Sequence, residues 1–132
     1  MTFDREKEMT FQDYSNLILP LAKYPSVGNN IVYPLLGLAG EAGEAAEKGK
    51  KMWRDYNVTG QKDIDMDWAH GQPEELSALR TGLIKELGDV LWYVTAAAAE
   101  IGVSLEEVAR TNAEKLLDRK ARGVIGGSGD NR

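Results

Sequence analysis

Four carboxylates in two pairs are the residues of this chain whose type and spacing point most directly to chemistry. Glu41 and Glu44 form an E-x-x-E pair, and Glu86 and Asp89 form an E-x-x-D pair further along the chain. On a helix, residues three positions apart share a face, with Cβ atoms about 5–6 Å apart. Both pairs lie among apolar residues, where like charges lose hydration and repel one another. A divalent cation would neutralise them, and ligands that are all oxygen favour Mg²⁺ or Mn²⁺ over zinc.

The same four acids are also compatible with exposed helix charge or with a di-iron bundle. Exposed helix charge would produce the same spacing without a metal, because such pairs are common by chance. A di-iron bundle would need a Glu-x-x-His motif on two helices, whereas the one histidine, His70, falls in a segment without helical periodicity. The apolar setting of both pairs favours a metal site for a hard cation.

A polar and basic stripe later in the chain could supply counter-charge for phosphate. Asn112, Lys115 and Arg119 recur at spacings of three and four, so they share one face of a predicted helix. Alone, such a stripe is typical of a solvated surface, but beside a metal site its cations would reach phosphate oxygens. Tyr93, one turn beyond the second acid pair, and Trp53, beyond the first, could stack on a nucleobase.

The elements that must position these residues are predicted to be helices. The apolar periodicity and the capping residues predict helices over residues 9–24, 29–54, 73–101 and 104–122. Thr10 is the expected N-cap of the first, Pro20 should kink or shorten it, and Ser104 opens a capping box for the last. The last helix is expected to turn its apolar residues inward, namely Val108, Leu116 and Leu117. Four helices with little strand signal predict an all-α four-helix bundle.

The length of the chain predicts one domain over residues 1–132. Residues 55–72 lack a helical period and are predicted to be a loop insertion, and the glycine-rich segment 123–132 is predicted to lack regular structure. The apolar run around Ala96 to Ala99 exceeds what one small bundle would bury. We therefore expect oligomerisation to complete the bundle.

Composition narrows the classes of function and partner. A net charge of −5 argues against binding of polymeric nucleic acid, which relies on a basic surface. Without cysteine, the chain has no disulfides and no thiolate metal ligands. No stretch approaches the roughly 20 apolar residues of a membrane span, and the charged N-terminal residues do not form a signal peptide. We expect a cytoplasmic protein.

Taken with their contexts, these motifs resemble a known family. The segments GLAGEAGEAAEK at 37–48, KELGDVLWY at 85–93 and the stripe from Asn112 to Gly123 are similar to MazG-like all-α nucleoside triphosphate pyrophosphohydrolases. The C-terminal residues resemble the short single-domain versions of bacteria and bacteriophages. In this family the two acidic motifs are usually closer together, so residues 55–72 would be an addition that forms a lid or a subunit contact.

The resemblance implies an activity and a cellular setting. The expected reaction is the Mg²⁺-dependent hydrolysis of a (deoxy)nucleoside triphosphate between its α- and β-phosphates, which yields the monophosphate and pyrophosphate. The expected assembly is a homodimer or a dimer of dimers, in the cytoplasm of a bacterium or of a phage-infected cell.

The resemblance also implies roles for individual residues. The metal ligands would be Glu41, Glu44, Glu86 and Asp89, and the ligand contacts would be Tyr93, Asn112 and Lys115. We expect Glu44, together with Glu41, to bind metal and orient the attacking water. Lys115 and Arg119 would stabilise the departing pyrophosphate, and Trp53 is a further candidate for contact with the base.

Two alternative functions stay open. Phosphoribosyl-ATP pyrophosphohydrolases share the fold and the metal chemistry, so only a substrate screen separates the two activities. A non-catalytic helical module that binds a nucleotide or a partner protein would use the acids for metal-stabilised folding alone. Such a module would bind nucleotide without turnover.

Overall fold

The computed structural model of the chain describes residues 3–69, 71 and 73–123, and throughout them the regular structure is helical. The elements are α1 (Phe11–Ile18), a 3₁₀ helix (Leu19–Leu21), α2 (Val32–Tyr56), α3 (Gln61–Ala69), α4 (Glu74–Glu100) and α5 (Leu105–Ala121). The all-α prediction is confirmed, with one helix more than the four expected. His70 and the predicted tail beyond Gly123 lie outside the described residues.

The chain divides into two compact units. One unit is formed by Ile31–Val94, and the other by the residues up to Asn30 together with those from Thr95 onward. The first unit contains α2, α3 and most of α4, whereas the second contains α1 and α5. None of the described helices combines the length and the apolar character that crossing a membrane requires.

Thr10 begins α1 as predicted, through a reciprocal pair of hydrogen bonds with Asp13. The backbone N–H of Asp13 donates to the Thr10 hydroxyl at 3.1 Å, and the N–H of Thr10 donates to the Asp13 carboxylate at 3.0 Å. This capping box satisfies two N–H groups that the helix leaves without partners. Pro20 then falls within the 3₁₀ helix, so α1 is limited to 8 residues. The shortening expected from this proline is confirmed.

Glu100 anchors the turn that follows the 3₁₀ helix. Its Oε1 accepts from the Tyr24 hydroxyl at 2.5 Å and from the Gly28 N–H at 2.8 Å, and its Oε2 accepts from the Asn30 N–H at 2.9 Å. The hydrogen bond from Tyr24, followed by those from the two backbone groups, lowers the pKa of Glu100. Burial, reinforced by the Glu100 carboxylate, raises the pKa of Tyr24 to about 12. The turn is therefore held by an ionised acceptor and a neutral donor.

Residues 55–69 are largely helical, which makes the prediction of a loop over 55–72 wrong for this part of the segment, while residues 70 and 72 lie outside the described residues. Helix α2 continues to Tyr56 and ends at Asn57, whose left-handed conformation (φ 55°) reverses the chain. The N–H and the hydroxyl of Thr59 then donate to the Asp63 carboxylate at 2.9 and 3.1 Å, in the first turn of α3. The sequence of α3 has no apolar period, so local capping rather than amphipathicity marks its beginning.

Tertiary packing supplies the other reason why α3 forms. A cluster of buried apolar side chains joins the end of α2, the start of α3 and the start of α4, and consists of Met52, Val58, Ile64 and Leu76. Leu76 is fully buried. Two of the four side chains come from the segment predicted to be a loop, so this segment supplies part of the core of its unit.

Two close approaches between α2 and α4 set the register of these helices. The ring of Tyr93 lies against the backbone of Gly37, and the side chain of Lys48 lies against the backbone of Gly82. Because the residue number rises along α2 while it falls along α4, the two helices run antiparallel. Both acidic pairs lie between these two approaches, so the same register brings the pairs together.

Helix α5 begins as predicted but buries other residues than those expected. The Ser104 hydroxyl accepts from the N–H of Glu107 at 3.1 Å. The buried residues are Leu105 and Arg119, whereas the predicted inward residues are 37, 40 and 67 % exposed, namely Val108, Leu116 and Leu117. The prediction that these three residues turn inward is therefore wrong for the single chain. Helix α5 has 17 residues and packs against α1, which has only 8, so α1 is too short to cover the whole of α5.

The chain covers the apolar run near the end of α4 only in part. Thr95, Ala96 and Ala98 are 2, 0 and 5 % exposed, whereas Ala97 is half-buried and Ala99 is exposed. Cover by a second copy stays a prediction.

Replacing Glu100 with Gln tests the anchor. We expect a lower melting temperature at neutral pH, since a neutral amide accepts these hydrogen bonds more weakly than a carboxylate does. A pKa that folding lowers stabilises the fold above the unfolded value of about 4.5. This stabilisation is lost as the pH falls through the folded value, so the difference between wild type and variant should shrink in acid.

Thermal unfolding followed by circular dichroism at neutral and acidic pH measures this difference. Glu114→Gln, on the exposed surface of α5, is the matched control and should resemble the wild type at both values. An equal melting temperature for Glu100→Gln and the wild type at neutral pH would show that the hydrogen bonds of Glu100 do not stabilise the fold.

Candidate metal centre

Three of the four predicted metal ligands converge between α2 and α4. Glu41, Glu86 and Asp89 each offer a carboxylate oxygen, and these oxygens lie within 4.8 Å of one another. Glu41 and Glu86 are half-buried, whereas Asp89 is exposed. Carboxylate oxygens bind Mg²⁺ at about 2.0–2.1 Å, so oxygens on different sides of one ion lie about 3–4 Å apart. The group could therefore hold a metal ion after small adjustments of the side chains.

The electrostatics of this group oppose three simultaneous negative charges. Burial raises the pKa of Glu41, and the charges of Asp89, Glu86 and Glu44 raise it further. The neighbouring Glu86 carboxyl adds to the upward shift in the pKa of Glu41. A divalent cation would relieve this repulsion.

Glu44 lies at the edge of the three-acid group. It is exposed on α2, and its charge contributes to the raised pKa of Glu41. Its carboxylate is not among the three that approach to within the distance of a shared ion. The structure thus brings three predicted ligands together and leaves the role of Glu44 as a prediction.

Tyr93 is packed beside the acids by a contact that only glycine allows. A Cβ atom added to Gly37 would lie 2.2–2.6 Å from the ring carbons Cε1, Cζ and Cδ1 of Tyr93, so any side chain at position 37 would displace the ring. Burial raises the pKa of Tyr93, and Tyr33, Glu41 and Asp89 raise it further, in that order. The ring of Tyr93 is therefore close enough to the acids for its hydroxyl to sense their charge.

Trp53 lies well away from the acids along α2. It is twelve residues after Glu41, which corresponds to about 18 Å along the helix axis, and it is 64 % exposed. It lines a cavity of about 360 Å³ between the end of α2, the start of α3 and α4. The other lining residues are Gly49, Met52, Val58, Thr59, Gly60, Gln61, Ile64 and Leu83. The structure does not bring Trp53 to the acids, and its contact with a base stays a prediction.

The predicted phosphate-binding stripe lies on α5, in the unit that contains the chain ends. Asn112 is exposed, Lys115 is half-buried and Arg119 is 8 % exposed. The stripe therefore passes from the surface into the interior instead of forming one solvated face. The assignment of these residues to phosphate stays a prediction.

Two residues near the acids received no role from the sequence, namely Lys48 and Gly82. A Cβ atom at Gly82 would lie 3.2 Å from Cε of Lys48. The only signal in the sequence is the glycine itself, which costs about 1 kcal/mol relative to Ala inside a helix and lies one turn before Glu86. Without the register of α2 on α4, nothing connects this glycine with the lysine.

Comparison with known proteins identifies the family of this chain and a relative from a bacteriophage. The model of the MazG nucleotide pyrophosphohydrolase domain matches residues 34–124. The Gene 37 protein of Mycobacterium phage L5 is 42 % identical over 117 residues, which are 84 % of this chain and 89 % of that protein. No solved structure shows a significant match. The matched domain includes both acidic pairs, Tyr93 and the stripe on α5.

Replacing Glu41 with Gln tests the repulsion within the acid group. Without divalent cations, we expect a melting temperature at neutral pH that is a few degrees above the wild type. A carboxyl whose pKa is raised in the fold stabilises it below the unfolded value, near 4.5, and this contribution is lost as the pH rises through the folded pKa. The amide does not titrate, so the advantage of the variant should grow with pH over this range.

Addition of Mg²⁺ or Mn²⁺ should raise the melting temperature of the wild type above that of Glu41→Gln, because ligand binding to the native state stabilises it by mass action. The wild type should then gain more in melting temperature than Glu41→Gln does, whereas Glu114→Gln should respond as the wild type does. Equal metal-induced gains for the wild type and Glu41→Gln would contradict a metal site at these acids.

Replacing Gly37 with Ala tests the contact with Tyr93. The added methyl group overlaps the ring, and overpacking of this kind costs about 1–3 kcal/mol in the free energy of unfolding. Gly40→Ala, on the same helix with nothing near the added Cβ, should instead stabilise by about 0.5–1 kcal/mol.

Chemical denaturation measures both variants, and near-ultraviolet circular dichroism reports the environment of the ring. When Tyr93→Ala is already present, the further change Gly37→Ala should cost little free energy of unfolding, because the ring that the methyl group would overlap is gone. The double variant is therefore compared with Tyr93→Ala alone. The contact is disproved if Gly37→Ala and Gly40→Ala change stability by the same amount.

Proposed function

Because the chain belongs to the MazG nucleotide pyrophosphohydrolase family, we propose that it hydrolyses a (deoxy)nucleoside triphosphate between the α- and β-phosphates. The products are the nucleoside monophosphate and pyrophosphate. The observation that carries this proposal is the convergence of the Glu41, Glu86 and Asp89 carboxylates between α2 and α4. A cluster of negative charge can bind a polyphosphate only through a cation, so the acid group and the substrate class support one another.

We propose Mg²⁺ as the cation, with Mn²⁺ as a substitute. The donors are all carboxylate oxygens, which suit hard cations that prefer oxygen. Glu41, Glu86 and Asp89 would hold the ion, and Glu44 would join them from the edge of the group. When bound, the ion would polarise the phosphate oxygens and lower the pKa of a bound water.

Side chains of the protein would orient the attacking water and accept its proton. Glu44, exposed beside the acid group, would orient the attacking water together with Glu41 and accept its proton. The water oxygen forms a bond to the α-phosphorus while the bond from that phosphorus to the bridging oxygen breaks, and pyrophosphate leaves with the bonding electrons. Lys115 and Arg119 would stabilise the charge on the departing group.

The nucleoside would be held by aromatic and amide side chains. Tyr93 is fixed beside the acids by its contact with Gly37, which supports a contact with the sugar or base of a metal-bound nucleotide. Asn112 is exposed and able to offer its amide. Trp53 offers an exposed ring at the far end of α2.

Assembly into a homodimer or a dimer of dimers is part of the proposal. Large apolar residues of α2 and α4 are 50–68 % exposed, namely Val32, Leu35, Leu36, Ile84 and Leu87. Soluble monomers rarely expose extended apolar patches, so these side chains support the completion of a four-helix bundle by further copies of the chain. The phage relative supports a location in the cytoplasm of a phage-infected bacterium.

A panel of ribo- and deoxyribonucleoside triphosphates, assayed with Mg²⁺ for release of pyrophosphate, tests the function. We expect at least one triphosphate to be cleaved and a chelator to abolish the cleavage. Glu86→Gln and Asp89→Asn should lower kcat/KM by about a hundredfold or more, because a catalytic cation supplies several kcal/mol. Glu74→Gln, on the exposed start of α4, is the control and should retain activity.

The other outcomes of the panel are equally informative. Cleavage of phosphoribosyl-ATP alone would identify the alternative substrate, and tight nucleotide binding without turnover would identify a binding module. Release of phosphate instead of pyrophosphate would show that the wrong bond has been assigned.

A further inference from the structure

The side chain of Lys48 crosses from α2 to the surface of α4. A Cβ atom at Gly82 would lie 3.2 Å from Cε, 3.6 Å from Cδ and 3.7 Å from Nζ of this lysine. The end of the side chain therefore lies directly beside Gly82, where an added methyl group would make a tight contact with it. Lys48 is half-buried.

The positive charge of Lys48 has no partner within the described part of the chain. Glu47 instead pairs with Lys50 at 2.6 Å and lies 4.0 Å from Lys51. Glu44, four residues before Lys48, is at the usual spacing for a pair on a helix, yet no ion pair between them forms among the described residues. The ammonium group of Lys48 therefore lacks a counter-ion among the described residues and is available to an anion.

The antiparallel register places Lys48 on one side of the acid group and Tyr93 on the other. On α4, Gly82 comes one turn before Glu86, and Tyr93 comes one turn after Asp89. One turn of helix is about 5.4 Å. The ring of Tyr93, the group of carboxylates and the ammonium group of Lys48 thus follow one another along the pair of helices. A nucleoside triphosphate carries its nucleoside, α-phosphate and terminal phosphates in that same order.

We propose that Lys48 binds the β- and γ-phosphates, and that the nucleoside lies toward Tyr93. The assignment rests on the proposed function and adds to it a direction for the substrate. Trp53 lies beyond Lys48 on α2, on the side away from Tyr93, so this direction selects Tyr93 over Trp53 as the contact of the base. As the bond to the α-phosphorus breaks, negative charge collects on the β-phosphate. The lysine would meet that charge as a compact cation, and Gly82 would be the residue that leaves room for it.

The test is calorimetric titration of the full chain with inorganic pyrophosphate in the presence of Mg²⁺. Lys48→Met removes the charge but keeps most of the length, and should weaken pyrophosphate binding about ten- to a hundredfold. Lys50→Met, whose ammonium group already pairs with Glu47, is the matched control and should bind as the wild type does. Gly82→Ala, which crowds Cε of Lys48, should weaken binding by a smaller factor.

A second titration, with adenosine monophosphate, tests the direction of the substrate. Lys48→Met should bind this nucleotide as the wild type does, since the monophosphate lacks the terminal phosphates. An equal loss for the monophosphate and for pyrophosphate would overturn the direction. Circular dichroism of each variant shows whether it is folded.

Failure of this assignment differs from failure of the proposed function. The assignment is overturned if Lys48→Met binds pyrophosphate as tightly as the wild type does, or if the wild type binds none, even when triphosphates are cleaved. If the wild type binds pyrophosphate through Lys48 but cleaves no triphosphate, the function is wrong while the binding site stands.

Discussion

The crowding of three carboxylates between α2 and α4 is the constraint to which the rest of the unit Ile31–Val94 responds. Glu41, Glu86 and Asp89 approach within the distance of a shared ion, and burial together with the neighbouring charges raises the pKa of Glu41. Repulsion of this kind would separate the helices unless packing elsewhere held them. The acids therefore destabilise the cation-free protein, and the proposed cation would make them a source of stability.

The packing that opposes this repulsion lies on both sides of the acids. On one side, the ring of Tyr93 lies directly on the backbone of Gly37. On the other side, the cluster that contains Met52 and Leu76 joins the far end of α2 to the start of α4. The segment predicted to be a loop contributes Val58 and Ile64 to this cluster, so the residues between the acidic motifs help to hold the two helices that carry the acids.

The same arrangement supports the proposed direction of the substrate. The two helices run antiparallel, so the ring, the acids and the lysine are met in a fixed order along them. None of these three features identifies a substrate alone, since aromatic rings, acids and lysines are common on helices. Their order is more specific, because it matches the order of groups in a nucleoside triphosphate. The two glycines at either side of the acids, Gly37 and Gly82, are what allow the opposing side chains to approach so closely.

The sequence by itself determined the helical class, most helix ends and the family, because periodicity, capping residues and motif spacing are local properties. Thr10, Pro20 and Ser104 act where the sequence predicted. Only the tertiary structure decided that α3 forms, that three of the four acids converge while Glu44 stays at their edge, and that α5 buries Arg119 while Leu117 is exposed. It also decided the contacts of Tyr93 with Gly37 and of Lys48 with Gly82. These outcomes depend on the packing of residues far apart in the chain, and local spacing carries no information about which residue of one helix faces which residue of another.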